Sequence, residues 1–191
     1  MSPEAVAERV ARESYGRLLA LLAARTRDVA AAEDALAEAF AAALSAWPRG
    51  AVPDNPEAWL FAAAKRKLID AARREKTAHE RERQIVLGIE ELEAEMTATD
   101  TPDRRLGLMF ACAHPTIDGS ARTALMLQVV LGFSAERIAS AFLLEPAAMS
   151  QRLVRAKKRI RDGGVRFEVP APREWPARLN AVLDAIYAAY T

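Results

Sequence analysis

"FSAERIASAFLLEPAAMSQRLVRAKKRIR", residues 133–161, places a short capped segment, a three-residue break and a basic amphipathic segment in direct succession. Ser134 has the side chain that satisfies free N–H groups at a helix start, which predicts a helix over 135–142. Ala139 supplies a small residue where two crossing helices must approach closely. Leu143, Leu144 and Glu145 form the turn, and Pro146 opens a second helix, over 146–161, at the position where a missing N–H costs nothing. Met149, Leu153, Ala156 and Ile160 recur at i, i+4, i+7 and i+11 and form its inward stripe. The other face carries Ser150, Gln151, Arg152, Arg155, Lys158 and Arg159. These are the dimensions of a helix-turn-helix. On a duplex, the N-terminal polar residues would reach base edges and the later cations would meet phosphates. A solvated basic face is the plainer reading of a lone cationic helix. The capped helix and tight turn ahead of this one favour DNA. Leu143 stands where such turns commonly hold glycine, and a left-handed leucine costs roughly 1 kcal/mol.

Working outward, the 191 residues suffice for one or two domains with a real core. Half the residues are apolar and about a quarter are charged, which is a folded, soluble composition. No apolar run approaches the roughly 20 residues of a bilayer crossing, and the charged N-terminus lacks the apolar centre of a secretory signal, so the expected location is the cytoplasm, with no membrane partner. Cys112 is the single cysteine, and with two distant histidines it makes no zinc set. No nucleophile, carboxylate pair or glycine-rich phosphate loop stands out; the expectation is a non-enzyme without metal or cofactor.

The net charge of +1 hides an uneven division. Asp28 to Trp47 holds Asp28, Glu33, Asp34 and Glu38 and no cation, whereas Lys65 to Arg83 holds eight Lys/Arg against four Asp/Glu. Glu90 to Asp100 is purely acidic, and Gln151 to Arg161 has six cations and no acid. Two basic and two acidic segments suggest both a polyanionic and a basic partner.

Nearly every segment has apolar positions three or four apart, so the expected fold is all-α. Ser2 before Pro3 starts a first helix to about Arg25, and Asp28 caps a second, with Leu36, Phe40, Leu44 and Trp47 as its stripe. "WPRGAVPDNP", 47–56, is a stiff loop. A third helix follows with Trp59, Leu60, Ala64 and Leu68 inward and Lys65, Arg66 and Arg73 outward. "LMLQVVL", 125–131, is read as a helix ending at Gly132 rather than a strand. These readings divide the chain into an N-terminal helical bundle over 1–84, an acidic linker over 85–102, a helix-turn-helix domain over 103–164, and a tether with an amphipathic helix over 165–191. In that last helix Leu179, Val182, Leu183, Ile186, Tyr187 and Tyr190 form an apolar stripe that must bury against something.

"DVAAAEDALAEAFAAALSAW" (28–47), "NPEAWLFAAAKRKLIDAARREK" (55–76) and the helix-turn-helix, in that order, resemble a bacterial sigma factor of the extracytoplasmic-function group, in the sigma-70 family, over roughly residues 10–165. "MFACAHP" (109–115) and "LVRAKKRIRDGGVRFEVP" (153–170) resemble a subgroup with a helical, repeat-like C-terminal extension. The resemblance implies that Asp28, Asp34 and Glu38 dock on core RNA polymerase. It also implies that the loop from Arg49 to Asn55 holds an extruded promoter base, and that Lys65, Arg66, Arg73 and Arg74 grip the adjacent strand of the minus-ten element. The helix-turn-helix would then read the minus-thirty-five duplex, with an anti-sigma factor or the chain's own C-terminal extension as regulating partner. Arg66 stands where many relatives have Asn, and "HPTIDGSAR" (114–122) replaces the usual Leu-Pro entry. The rival readings are a helix-turn-helix regulator that acts without polymerase and a helical interaction scaffold. Trp47 and Trp59 at helical spacing are expected to be core, Cys112 buried and His114 a cap.

Overall fold

Helix α1, Pro3–Thr26, starts where the sequence places it: the Ser2 hydroxyl accepts from the Ala5 N–H and Pro3 occupies the first turn. In the computed structural model, which describes residues 2–74 and 103–190, α1 is followed by α2 (Val29–Ala46), a 3-10 turn (Trp47–Arg49) and α3 (Pro56–Arg74). Then come α4 (Arg105–Cys112), α5 (Gly119–Leu131), α6 (Ala135–Ala141), α7 (Pro146–Asp162), a 3-10 segment (Pro172–Ala177) and α8 (Leu179–Tyr190). The expected linker over 85–102, residues 75–84 and the side chains of Arg73, Arg74 and Tyr190 lie outside the described residues. The fold is all-α, and no strand occurs among the described residues. None of its helices is long and apolar enough to cross a membrane among those residues.

The centre of the molecule is α1. Leu18, Leu19, Ala20, Leu21, Leu22 and Ala23 are consecutive and all buried, which an amphipathic surface helix cannot achieve. α1 is enclosed from two sides: α2 and α3 pack on one, α4 and α5 on the other. Glu57 on α3 fixes the first contact, accepting from the Ser14 hydroxyl at 2.5 Å and pairing with Arg17. The second contact is close enough that a Cβ on Gly16 would run into the Val130 carbonyl of α5. Gly132, at φ +70°, ends α5 against the Tyr15 ring.

Two apolar stripes differ from their sequence reading. Leu36 and Trp47 are buried, but Leu44 is 50% exposed and Ala43 is buried in its stead. Each i+4 step overshoots a turn by about 40°, so two steps carry Leu44 off a face that Ala43 keeps. In α8, Val182 and Ala185 are buried while Leu183, Ile186 and Tyr187 are exposed. The small face of α8 lies on α5, because small side chains allow the closer approach, and most of the bulky stripe points outward. The tether before α8 is not simply extended: Trp175 stacks on Phe110 at 6.2 Å between ring centres and donates its indole N–H to the Pro170 carbonyl at 2.9 Å.

Candidate nucleic-acid interface

The α6–α7 unit is built from local signals. Ser134 accepts from the Arg137 N–H at 3.3 Å, and Pro146 sits in the first turn of α7. Between them Leu143 adopts φ +52° and is 93% exposed. The Leu144 N–H reaches the Ala139 carbonyl at 2.9 Å and the Leu143 N–H the Ser140 carbonyl at 3.2 Å, the bond pair that closes a helix through a left-handed residue. α7 ends in the same way, with Gly164 at φ +57° and the Val165 N–H on the Ile160 carbonyl. The backbone that turns α6 into α7 is therefore carried by a leucine.

Met149, Leu153, Ala156 and Ile160 are all buried, so α7 presents its other arc outward. Gln151, Arg155, Lys158 and Arg159 are exposed, and Ser150 and Arg152 half-buried. Arg159 also donates to the Thr116 carbonyl at 3.3 Å, which holds its guanidinium near the start of α5. The structure thus brings all six candidate duplex contacts onto one helix with a cationic outer arc.

A second cationic helix is α3. Asn55 is exposed and caps it, accepting from the Ala58 N–H at 3.0 Å. Leu60, Ala64 and Leu68 are buried, leaving Arg66 exposed and Lys65 half-buried. Arg73 and Arg74 lie in the last turn of α3 by their backbone. The loop between α2 and α3 is anchored by Trp47, 2% exposed, whose ring meets Trp59 edge to face at 5.6 Å. Trp47 is a core residue as expected, and Trp59, half-buried, packs against the core from its edge.

Between the cationic helices runs acidic α2. Asp28 caps it through Ala30 and Ala31 at 3.0 and 3.1 Å and also accepts from Arg161 of α7 at 3.4 Å. Glu38 pairs with Lys67 of α3 at 2.8 Å, and Asp34 is exposed. Sequence reasoning counted Glu33 among the acids and Lys157 among the clustered cations but gave neither a site role. They form an ion pair across 124 positions of chain, and their side chains are only 13% and 12% exposed. Burial raises the Glu33 carboxyl above its ordinary value and outweighs the opposing pull of Lys157. The sign of this pair was readable, since the acid-only helix α2 and the acid-free stretch 151–161 complement one another. Composition does not say whether such helices meet each other or outside partners.

Other candidates stay structural. Cys112 is fully buried, which pushes its thiol up and away from reactivity. The His114 ring caps the following turn, accepting from the Thr116 N–H at 3.3 Å. No group of three or more His, Cys, Asp or Glu is placed to hold a metal among the described residues.

One comparison meets this geometry directly. Residues 10–78 match sigma-70 region 2. The region 2 match covers most of α1, all of α2 and α3, and so Asp28, Asp34, Glu38, Asn55, Lys65, Arg66, Arg73 and Arg74. It stops before α4, leaving the α6–α7 unit to stand on its own geometry. An uncharacterized protein of Rhizobium meliloti (strain 1021) is 36% identical over 170 residues, which are 86% of this chain but 40% of that protein. The chain thus spans well under half the length of this relative. No solved structure matches.

Proposed function

We propose that the protein is an RNA polymerase sigma factor of the extracytoplasmic-function group, acting in the cytoplasm without enzymatic activity or cofactor. The region 2 match over 10–78 carries this reading. The unit over 1–84 binds core polymerase through Asp28, Asp34 and Glu38 of α2. The same unit holds unpaired minus-ten DNA with Asn55, Lys65, Arg66, Arg73 and Arg74, since a cationic groove is what tracks a single strand. After the linker over 85–102, the unit over 103–164 works as a helix-turn-helix, with Ser150, Gln151 and Arg152 toward base edges and Arg155, Lys158 and Arg159 toward phosphates. Residues 165–191 are the tether and the start of a C-terminal extension. An anti-sigma factor or that extension sets the activity. The outward arc of α7 and the exposed Asp34 support this division.

The test is run-off transcription with purified core polymerase, together with comigration on gel filtration. A promoter-dependent product and a stable complex are expected; absence of both overturns the reading. Charge reversal at Asp34 (D34K) is expected to weaken core binding while leaving affinity for isolated duplex DNA unchanged. A parallel loss of both would break the assigned division of labour.

A further inference from the structure

We propose that this arrangement is a closed, partly self-masked state, in which α7 covers the Asp28–Glu33 end of the acidic helix α2 that core polymerase needs and leaves Asp34 and Glu38 exposed; the inference rests on the sigma-factor reading above. The two cationic sides of α7 are used differently. Lys157 is almost closed to water on Glu33, and Arg161, itself exposed and shared with Asp162, reaches Asp28; Arg155, Lys158 and Arg159 lie on the exposed arc. Neither Lys157 nor Arg161 belongs to the duplex-reading set. A basic partner approaching Asp28 finds its carboxylate already serving two backbone N–H groups and a guanidinium, with the body of α7 alongside.

Stability and register of the closed state come from different contacts. Its stability comes from the apolar contact of α1 with α4 and α5, tight enough at Gly16 to bring the Val130 backbone into van der Waals range. Its register comes from the Glu33–Lys157 pair. A buried ion pair adds little net stability, because desolvation offsets attraction, but a mismatch there leaves a buried charge unpaired. The acidic face can therefore exchange one cationic surface for another at small electrostatic cost. The apolar contact sets how rarely it does so unaided. The duplex-reading arc stays open throughout, so masking acts on polymerase and not on DNA.

A reversible lock tests this. The double variant E33C/K157C replaces neither a proposed polymerase contact nor a proposed DNA contact, and Cys112 is too buried to compete for a thiol reagent. The folded variant is joined by a short bis-maleimide with a cleavable disulfide in its linker. The locked form is expected to lose core-polymerase affinity by about tenfold or more, because the binding-competent population is removed. Cleavage of the linker is expected to restore that affinity, while affinity for a short random duplex stays the same in both forms. Equal core binding by locked and cleaved protein overturns the mask and leaves the sigma-factor reading standing. No core binding by locked, cleaved or unmodified protein removes that reading, and the mask with it.

Discussion

Two basic helices, α3 and α7, use the same acidic helix in different ways. α3 follows α2 closely in the chain and pairs Lys67 with Glu38, an exposed contact of the kind worth little. α7 arrives from more than a hundred residues away and places Lys157 on Glu33 in a site almost closed to water. The first contact decorates a packing already set by Leu60, Ala64 and Leu68. The second fixes where one part of the molecule sits on another. Sequence distance, burial and charge thus separate a local trim from a register pin, although both are Lys–Glu pairs on one helix.

The largest expected effects concern whether α3 and α7 belong to one cooperative unit. Leu60 and Leu153 are each essentially inaccessible, and truncation to alanine at either is expected to cost about 2–5 kcal/mol. Because α1 is enclosed by both sets of helices, L60A and L153A are expected to lower a single shared calorimetric transition. Two transitions, each moved by only one variant, would show that the apolar contact through α1 does not couple the helices.

Next in size is the division of cations on α7. Each phosphate contact contributes about 0.9 to the slope of log affinity against log salt. R155A/K158A is expected to flatten that slope for duplex DNA by about two contacts' worth, and K157A to leave it unchanged, since Lys157 is turned to α2. A loss of slope in K157A equal to that of R155A would erase the distinction between the two sides of the helix.

Much of α7 was legible in its sequence, because its signals are local. The cap at Ser134, the proline at 146 and the stripe from Met149 to Ile160 involve neighbours within a turn or two, and each appears as read. The acids and cations were equally visible, but their partners were not. Nothing within a turn of Glu33 announces Lys157, and one side of the enclosure of α1 comes from α4 and α5, which begin 79 and 93 positions after Thr26. α8 shows the opposite failure: its bulky stripe was plain, yet tertiary packing chose Val182 and Ala185 because α5 lies close. The match to region 2 likewise covers only the first half of the site, so the function of α7 rests on geometry.

A smaller effect comes from the matched helix ends. Leu143 and Gly164 hold equivalent left-handed positions at the ends of α6 and α7, but only glycine does so without steric cost. L143G is expected to raise unfolding free energy by about 1 kcal/mol, since the exposed leucine gives up little burial. G164A is expected to lower it by a similar amount. Thermal denaturation of both variants measures this, and equal signs would show that the turn is not set by its backbone.

The smallest expected effect is a difference in pH dependence between a buried and an exposed acid. Glu33 has its folded value raised by burial, so the native state holds more protons than the unfolded chain just above the ordinary carboxylate range. Its contribution to stability is fully present below the unfolded value and lost as pH rises through the folded one. Asp103, held by Arg105 with N–O contacts from 2.5 to 3.0 Å, has its folded value lowered, so its contribution is present above the ordinary value and lost on acidification. Urea titrations across the acid range, comparing the parent with E33Q and D103N, are expected to show differences of opposite slope. The Asp103 slope should shrink in high salt because that pair is exposed, and the Glu33 slope should persist because Glu33 and Lys157 face each other out of reach of counterions. A Glu33 slope as salt-sensitive as that of Asp103 would mean that α7 does not rest on α2 in solution.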